Sequence, residues 1–226
     1  MSLGREVKAV VFDYGGVLTT PMGDSITAWL ETDGIRPESF TSALKEWLGR
    51  NAEPGTPIHR LETGELSIEQ FDALLAARLT TYSGTPVDPA GVLRRLFAGM
   101  GTDEDMYLLI AELRAAGLKV ALLSNSWGNT YPRGRLAELM DAIVISGEVG
   151  LRKPDPAIYR LVLERLDVAP QEAVFVDDAE PNLEGARAVG LVTVLHRDAA
   201  GTRAALTKLI PDLSETLSET LSEETP

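Results

Sequence analysis

Five short apolar runs punctuate the chain, rich in β-branched residues and closed by small or charged positions. Val7 to Phe12 stops at Asp13, and Leu118 to Leu123, Ala142 to Ile145, Ala173 to Val176 and Leu191 to Leu195 follow. Runs of this length bounded by turn residues read as buried strands. Between the later ones, Glu104 to Ala116, Ala157 to Leu166, Asn182 to Val189 and Thr202 to Leu209 carry apolar residues at helical spacing. Gly117 and Gly190 sit where helix C-caps fall. Continuous apolar strands alternating with helices predict an α/β fold, a doubly wound, Rossmann-like parallel sheet covered on both faces.

From about Thr20 to Gly101 the alternation stops. Only helical or loop signals remain there, over Ser25 to Glu31, Pro37 to Leu48, Ser67 to Leu79 and Pro89 to Phe97. This predicts an inserted all-helical cap of residues 20–100 and a core of residues 1–19 and 101–211. Residues 212–226, DLSETLSETLSEETP, are an acidic Leu/Ser/Glu/Thr repeat tail in which Leu209, Leu213, Leu217 and Leu221 recur at i, i+4. A frayed amphipathic helix is expected where this tail docks, and a disordered acidic tail is the alternative.

Composition narrows the function. The 226 residues include no Cys and only His59 and His196, which excludes disulfides, a thiol nucleophile and Cys-ligated metals. No run of about 18 apolar residues marks a membrane span, and no basic-then-apolar N-terminus marks secretion, so a cytoplasmic protein is expected. The net charge of −13 disfavours generic nucleic-acid binding, which draws on Lys and Arg. Five of those acidic residues lie in the tail from Asp212, leaving −8 for the rest. Nothing in the sequence fixes an oligomeric state.

In open parallel sheets, ligands bind beyond the carboxyl ends of the strands. Asp13, Gly15 and Gly16 follow the first run; Ser124, Asn125 and Ser126 the second; Arg152 and Lys153 the third; Asp177 and Asp178 the fourth. Singly, each has a plainer role: a turn at Asp13, a loop at Ser124, a helix cap at Asp177 and Asp178. Lys153 fits such roles less well, because it precedes a helix start near Asp155, where the dipole disfavours a cation. Together, three acids on one sheet rim make an oxygen-lined site suited to Mg²⁺ and a phosphate, with Lys153 and small donors for the remaining oxygens.

The ordered segments DYGGVLT, LLSNSW, LRKPDPAIY and VFVDDAEPNLEGA resemble the four motifs of the haloacid dehalogenase-like (HAD) superfamily. The similarity covers about residues 7–196. It is strongest to the helical-cap (C1) subgroup that includes sugar-phosphate phosphatases and the N-terminal phosphatase domain of soluble epoxide hydrolase, which HRLETGELSIEQF also resembles. A two-component receiver shares the residue types but carries its acidic pair after the first strand and its Lys after the last, so it does not fit.

The resemblance implies that Asp13 is the nucleophile, forming an aspartyl-phosphate on a small phosphorylated metabolite such as a sugar phosphate. It implies Mg²⁺ held by Asp13, the Gly15 carbonyl and Asp178, with Asp177 acting through water or on a neighbouring ligand. Ser124 and the Asn125 amide would bind the phosphoryl group, Lys153 would neutralise nucleophile and phosphate, and Asn182 would brace Lys153 or its loop or merely start a helix. Trp29 and Trp47 read as cap core, whereas Trp127 is a candidate pocket wall.

One position departs from the family pattern. Most phosphatases of this family carry a second Asp, the general acid and base, where this chain has Gly15. His59, Glu62 and Glu65 in the cap are candidate replacements, with surface polar positions as the plainer reading; water could also transfer the proton. Haloacid dehalogenases lack that Asp too and work without metal, but have no need of the acidic pair kept at Asp177 and Asp178. Phosphonate hydrolases use a cap lysine, and Lys45 reads instead as part of a solvated helix face. A low-activity phosphate-binding homologue is the remaining alternative.

Overall fold

The computed structural model describes residues 6–49, 52–128, 131–210 and 213. All five expected strands form: β1 (Ala9–Phe12), β2 (Lys119–Ser124), β3 (Ala142–Ile145), β4 (Ala173–Asp177) and β5 (Val192–Leu195). They pair in parallel in the order β3-β2-β1-β4-β5, with Phe12 beside Leu122 and Val176. The order reverses at β1, so the chain leaves the sheet on either side of it and opens a crevice at the strand ends.

The period-2 alternation of β1 divides its side chains between two cores. Val10 and Phe12 join one cluster, Ala9 and Val11 the other. Burying a Val or Phe side chain fully in this way contributes roughly 1.5–3 kcal/mol.

Between β1 and β2 the chain forms α1 (Met22–Thr32), α2 (Pro37–Leu48), α3 (Pro57–Glu62), α4 (Ile68–Arg78) and α5 (Val92–Leu96). Proline at the first turn starts α2, and a capping box between Ser67 and Gln70 starts α4. These helices bury a cluster of their own, around Trp29, Phe40, Trp47, Phe71 and Leu93. The chain segments entering and leaving the insertion are tied together: Thr19 and Thr102 form an antiparallel bridge, and Thr20 N donates to Gly101 O at 2.9 Å.

Helix α6 (Glu104–Ala115) leads into β2, and α7 (Arg133–Leu139), α8 (Ser146–Val149), α9 (Pro156–Leu166), α10 (Glu180–Val189) and α11 (Ala199–Leu209) follow that strand. Residues of α6, α7 and α11 pack in the Phe12 cluster, and residues of α9 and α10 in the Val11 cluster. Three short helices, α3, α7 and α8, were not expected; each spans at most two turns, too few for periodicity to register. Leu213 is buried in the Phe12 cluster, whereas the rest of the acidic tail, 212 and 214–226, lies outside the described residues. Among the described residues no helix is long and apolar enough to cross a membrane.

Candidate active site

Parallel pairing brings the ends of β1, β2 and β4 level, and the polar residues that follow them converge. Asp13 is held at the end of β1 by its N–H, which donates to Val176 O at 2.9 Å. Gly16 turns the chain with φ +77°, and a Cβ there would fall 2.7 Å from Asp178 Oδ2. The turn thus needs glycine twice, for its backbone and for the close approach of Asp178. One carboxylate oxygen each from Asp13, Asp177 and Asp178 lies within 4.8 Å of the others.

Lys153 reaches into this cluster from the loop before α9. Its Nζ is 2.7 Å from Asp13 Oδ1 and 2.7 Å from Asp177 Oδ2, and it is 1% exposed. The anion that its position near a helix start called for is therefore this pair of carboxylates. Burial alone would lower the pKa of Lys153, but Asp13 and Asp177 reverse the effect and hold it above the ordinary lysine value. Burial pushes the Asp13 carboxyl up to about 7; Lys153 opposes this, and Asp177 and Asp178 add to it. Asp178, on the exposed rim, is raised as well, by lost hydration first and by Asp177 second. Three carboxylates facing one ammonium leave the site short of positive charge.

Asp177 is fully buried and spends all its acceptor capacity inside the protein. Ala179 N donates to Oδ1 at 2.8 Å, Lys153 donates to Oδ2, and Asn182 Nδ2 reaches both oxygens at 3.0 Å. A carboxylate has about four lone-pair sites, so none is left for a direct ligand. Asp177 is not the cap of α10, whose N-cap position is Ala179; it lies two residues before that position and accepts its N–H. Asn182 braces Asp177, not Lys153 itself, because its amide sits one turn into α10 with the carboxylate directly beneath the helix start.

Asn125 does more than its backbone amide suggested. Its side-chain Oδ1 accepts from Lys153 N at 2.8 Å, and its Nδ2 donates to Lys153 O at 3.1 Å. Ser124 is 1% exposed, and its hydroxyl lies 3.0 Å from that of Tyr131, behind the cavity wall. The Tyr131 ring packs at a tilt of 50° against Tyr14, with centroids 4.7 Å apart; no sequence motif announces it, only its amphipathic character.

A cavity of about 580 Å³ opens between these strand ends and the helical insertion. Asp13, Gly15, Asn125, Lys153, Asp178 and Asn182 line its floor, and His59, Glu62 and Trp127 line its walls. Phe97 is shared with a larger cleft of about 720 Å³ that none of the three clustered acids lines; the chemistry belongs to the smaller one. Of the three replacement candidates, His59 is half-buried in this cavity, and its ring has no hydrogen-bond partner among the described residues. Burial, and then Arg152, lowers its pKa. Glu62 is buried and engaged by Trp127 and Arg152, whereas Glu65 is exposed, outside the cavity and bonded to Thr63. Trp29 and Trp47 are core of the insertion, and Lys45 is exposed.

The fold agrees with the comparisons to known proteins. The haloacid dehalogenase-like hydrolase model matches residues 7–190, and the chain belongs to this family of hydrolases. It is 29% identical to bifunctional epoxide hydrolase 2 of Sus scrofa over 207 residues, 85% of this chain and 37% of that protein. The chain thus spans well under half of that relative's length. It is 31% identical over 223 residues to a phosphatase of Mycobacterium tuberculosis, covering 93% of this chain and 97% of that one. Among solved structures, a HAD family enzyme of Bacteroides thetaiotaomicron in complex with magnesium and inorganic phosphate superposes with a TM-score of 0.62 at 20% identity. That match covers 84% of this chain and 94% of that one.

Proposed function

We propose that this protein is a Mg²⁺-dependent phosphomonoester hydrolase in which residues 20–100 act as a cap over a core of residues 1–19 and 101–211. The observation that carries the reading is the convergence on Asp13 of one buried lysine, 2.7 Å away, and two further carboxylates. A carboxylate nucleophile must be ionised to attack. In this site Lys153 opposes the burial that pushes Asp13 up.

The donor set fits magnesium. It is all oxygen, it carries an excess of two negative charges over Lys153, and the missing Cβ of Gly16 makes room for Asp178 beside the Asp13 loop. With Asp177 saturated by Ala179, Lys153 and Asn182, Asp13, Asp178 and the Gly15 carbonyl would hold the ion, and Asp177 would act through Lys153 rather than through water. When bound, magnesium supplies the charge that lets an anionic phosphate approach an anionic nucleophile. The magnesium and phosphate in the Bacteroides enzyme and the phosphatase relative support the same reading.

In the first step an Asp13 oxygen forms a bond to phosphorus while the bond to the ester oxygen breaks, and the departing alkoxide takes a proton. In the second step water attacks that phosphorus, releases phosphate and restores the Asp13 carboxylate. Lys153 has a third N–H for a phosphoryl oxygen, and the Asn125 amide is a second donor. His59 lines the cavity, and burial and Arg152 favour its neutral form, so it would take the proton of water and return it to the next leaving group. The walls at Met22, Leu48, Phe97 and Trp127 favour a small substrate whose leaving group has an apolar face.

The test is hydrolysis of p-nitrophenyl phosphate with and without magnesium, with Asp13→Asn as the control. Metal-dependent turnover that the Asn variant loses is expected. Full activity in that variant, or no turnover, overturns the assignment. Metal-free chloride release from 2-chloropropionate would replace it with the dehalogenase reading that Gly15 keeps open.

A further inference from the structure

Glu62 ends α3 in the helical insertion and is 3% exposed. A carboxylate is costly to bury unless its oxygens are paired. Both partners come from the sheet side of the molecule. Trp127 Nε1 donates to Oε1 at 2.8 Å, and Arg152 Nε donates to Oε2. Trp127 lies two residues past Asn125, and Arg152 immediately precedes Lys153.

Those two loops are already joined by the double hydrogen bond between the Asn125 side chain and the Lys153 backbone. Glu62 adds a second tie between them, made through a residue of the insertion. The seat is tight: at Gly64, with φ +76°, a Cβ would lie 2.7 Å from Gly147 O of α8. Displacing α3 from this seat would therefore pull on both loops at once.

We propose that Glu62 is a positioning residue, which couples docking of the helical insertion to the placement of the Asn125 amide and the Lys153 ammonium. The kinetic part of this inference rests on the phosphatase reading; the structural part does not. Glu62 touches no reacting atom and acts through Trp127 and Arg152. Glutamine at this position keeps an oxygen for Trp127 but cannot pair with the guanidinium, and alanine removes both contacts.

The experiment compares the full chain with Glu62→Gln, Glu62→Ala and, as control, Glu65→Gln, which lies outside the cavity. Amide hydrogen exchange followed by mass spectrometry should rise together in the peptides carrying Asn125–Trp127 and Arg152–Lys153, more in the alanine variant than in the glutamine one. On p-nitrophenyl phosphate with magnesium, kcat should fall about 10- to 100-fold in Glu62→Gln, with a smaller change in KM. The Glu65 variant should match the parent in both. Exchange that rises only within the insertion, or a Glu62→Gln enzyme with parental kcat, overturns the proposal. Should the parent itself fail to turn over, the phosphatase reading falls, and the exchange result, which needs no substrate, still decides whether Glu62 ties the loops. Should the alanine variant fail to fold, the glutamine variant decides.

Discussion

Replacing Gly15 by aspartate probes the missing proton donor where the structure leaves room for it. Gly15 has no positive φ, and a Cβ built on it meets no heavy atom within 4 Å. Its neighbour Gly16 fails on both counts, so the tolerance is specific to one position. Because Gly15 lines the cavity floor, the introduced carboxyl enters beside Asp13. Asp13, Asp177, Asp178 and Lys153 already sum to two negative charges. At about 6 Å and an effective dielectric of about 20, each unbalanced like charge disfavours ionisation by roughly 3 kcal/mol, about two pKa units. Without a cation the new group would stay protonated. With a divalent cation bound the cluster sums to zero, and its pKa returns towards the range a general acid needs. General acid–base catalysis is worth about 10²–10⁴-fold, or roughly 2.7–5.5 kcal/mol of barrier. An alkoxide needs that proton to depart, whereas nitrophenolate leaves without it. Phosphate release should therefore rise about 100-fold or more on a simple alkyl phosphate and less than about 10-fold on p-nitrophenyl phosphate. Equal responses, or none, would refute the idea that Gly15 leaves a catalytic gap and would point to His59 as the group already filling it.

Asn182→Ala removes two of the four hydrogen bonds that hold the buried Asp177 carboxylate. A lowered melting midpoint, by the equivalent of about 1–3 kcal/mol, and a kcat reduced about 10-fold or more are expected; parental values of both would show that Lys153 and Ala179 suffice. Asp72 is buried in the insertion and accepts from Leu93 N at 2.9 Å at the start of α5, yet burial raises its pKa. The folded state therefore binds its proton more tightly than the unfolded state does. Its contribution to stability falls as pH rises from the ordinary carboxyl value to the raised one, and stays flat above. Urea unfolding of Asp72→Asn and the parent should find the variant relatively more stable at pH 7 than at pH 4. The same difference at both pH values would mean that the amides of α5 fully compensate the charge.

The reach of the sequence follows from how local each signal is. Strands buried on both faces must be apolar throughout, so AVVF and AVFV declare themselves, and the polar residues after them fall at the sheet rim by topology alone. That is why Asp13, Lys153, Asp177 and Asp178 could be grouped before any contact was known. Helix α3 did carry a local signal, Thr56 as its cap and Pro57 at its first turn, but its six residues are too short for an amphipathic stripe. Without that helix, Glu62 reads as one more charge in the polar stretch HRLETGE. Its burial is decided by Trp127, 65 residues away, and Arg152, 90 residues away, and no periodicity encodes a partner at such a distance. The same holds for the Asn125 side chain, to which only its neighbour across the loop, Lys153, gives a task. The net charge illustrates the difference most directly. Read as composition, −13 disfavours nucleic acid; read in place, three carboxylates around Lys153 leave an excess of two negative charges that one divalent cation would cancel, which opens the site to an anionic substrate.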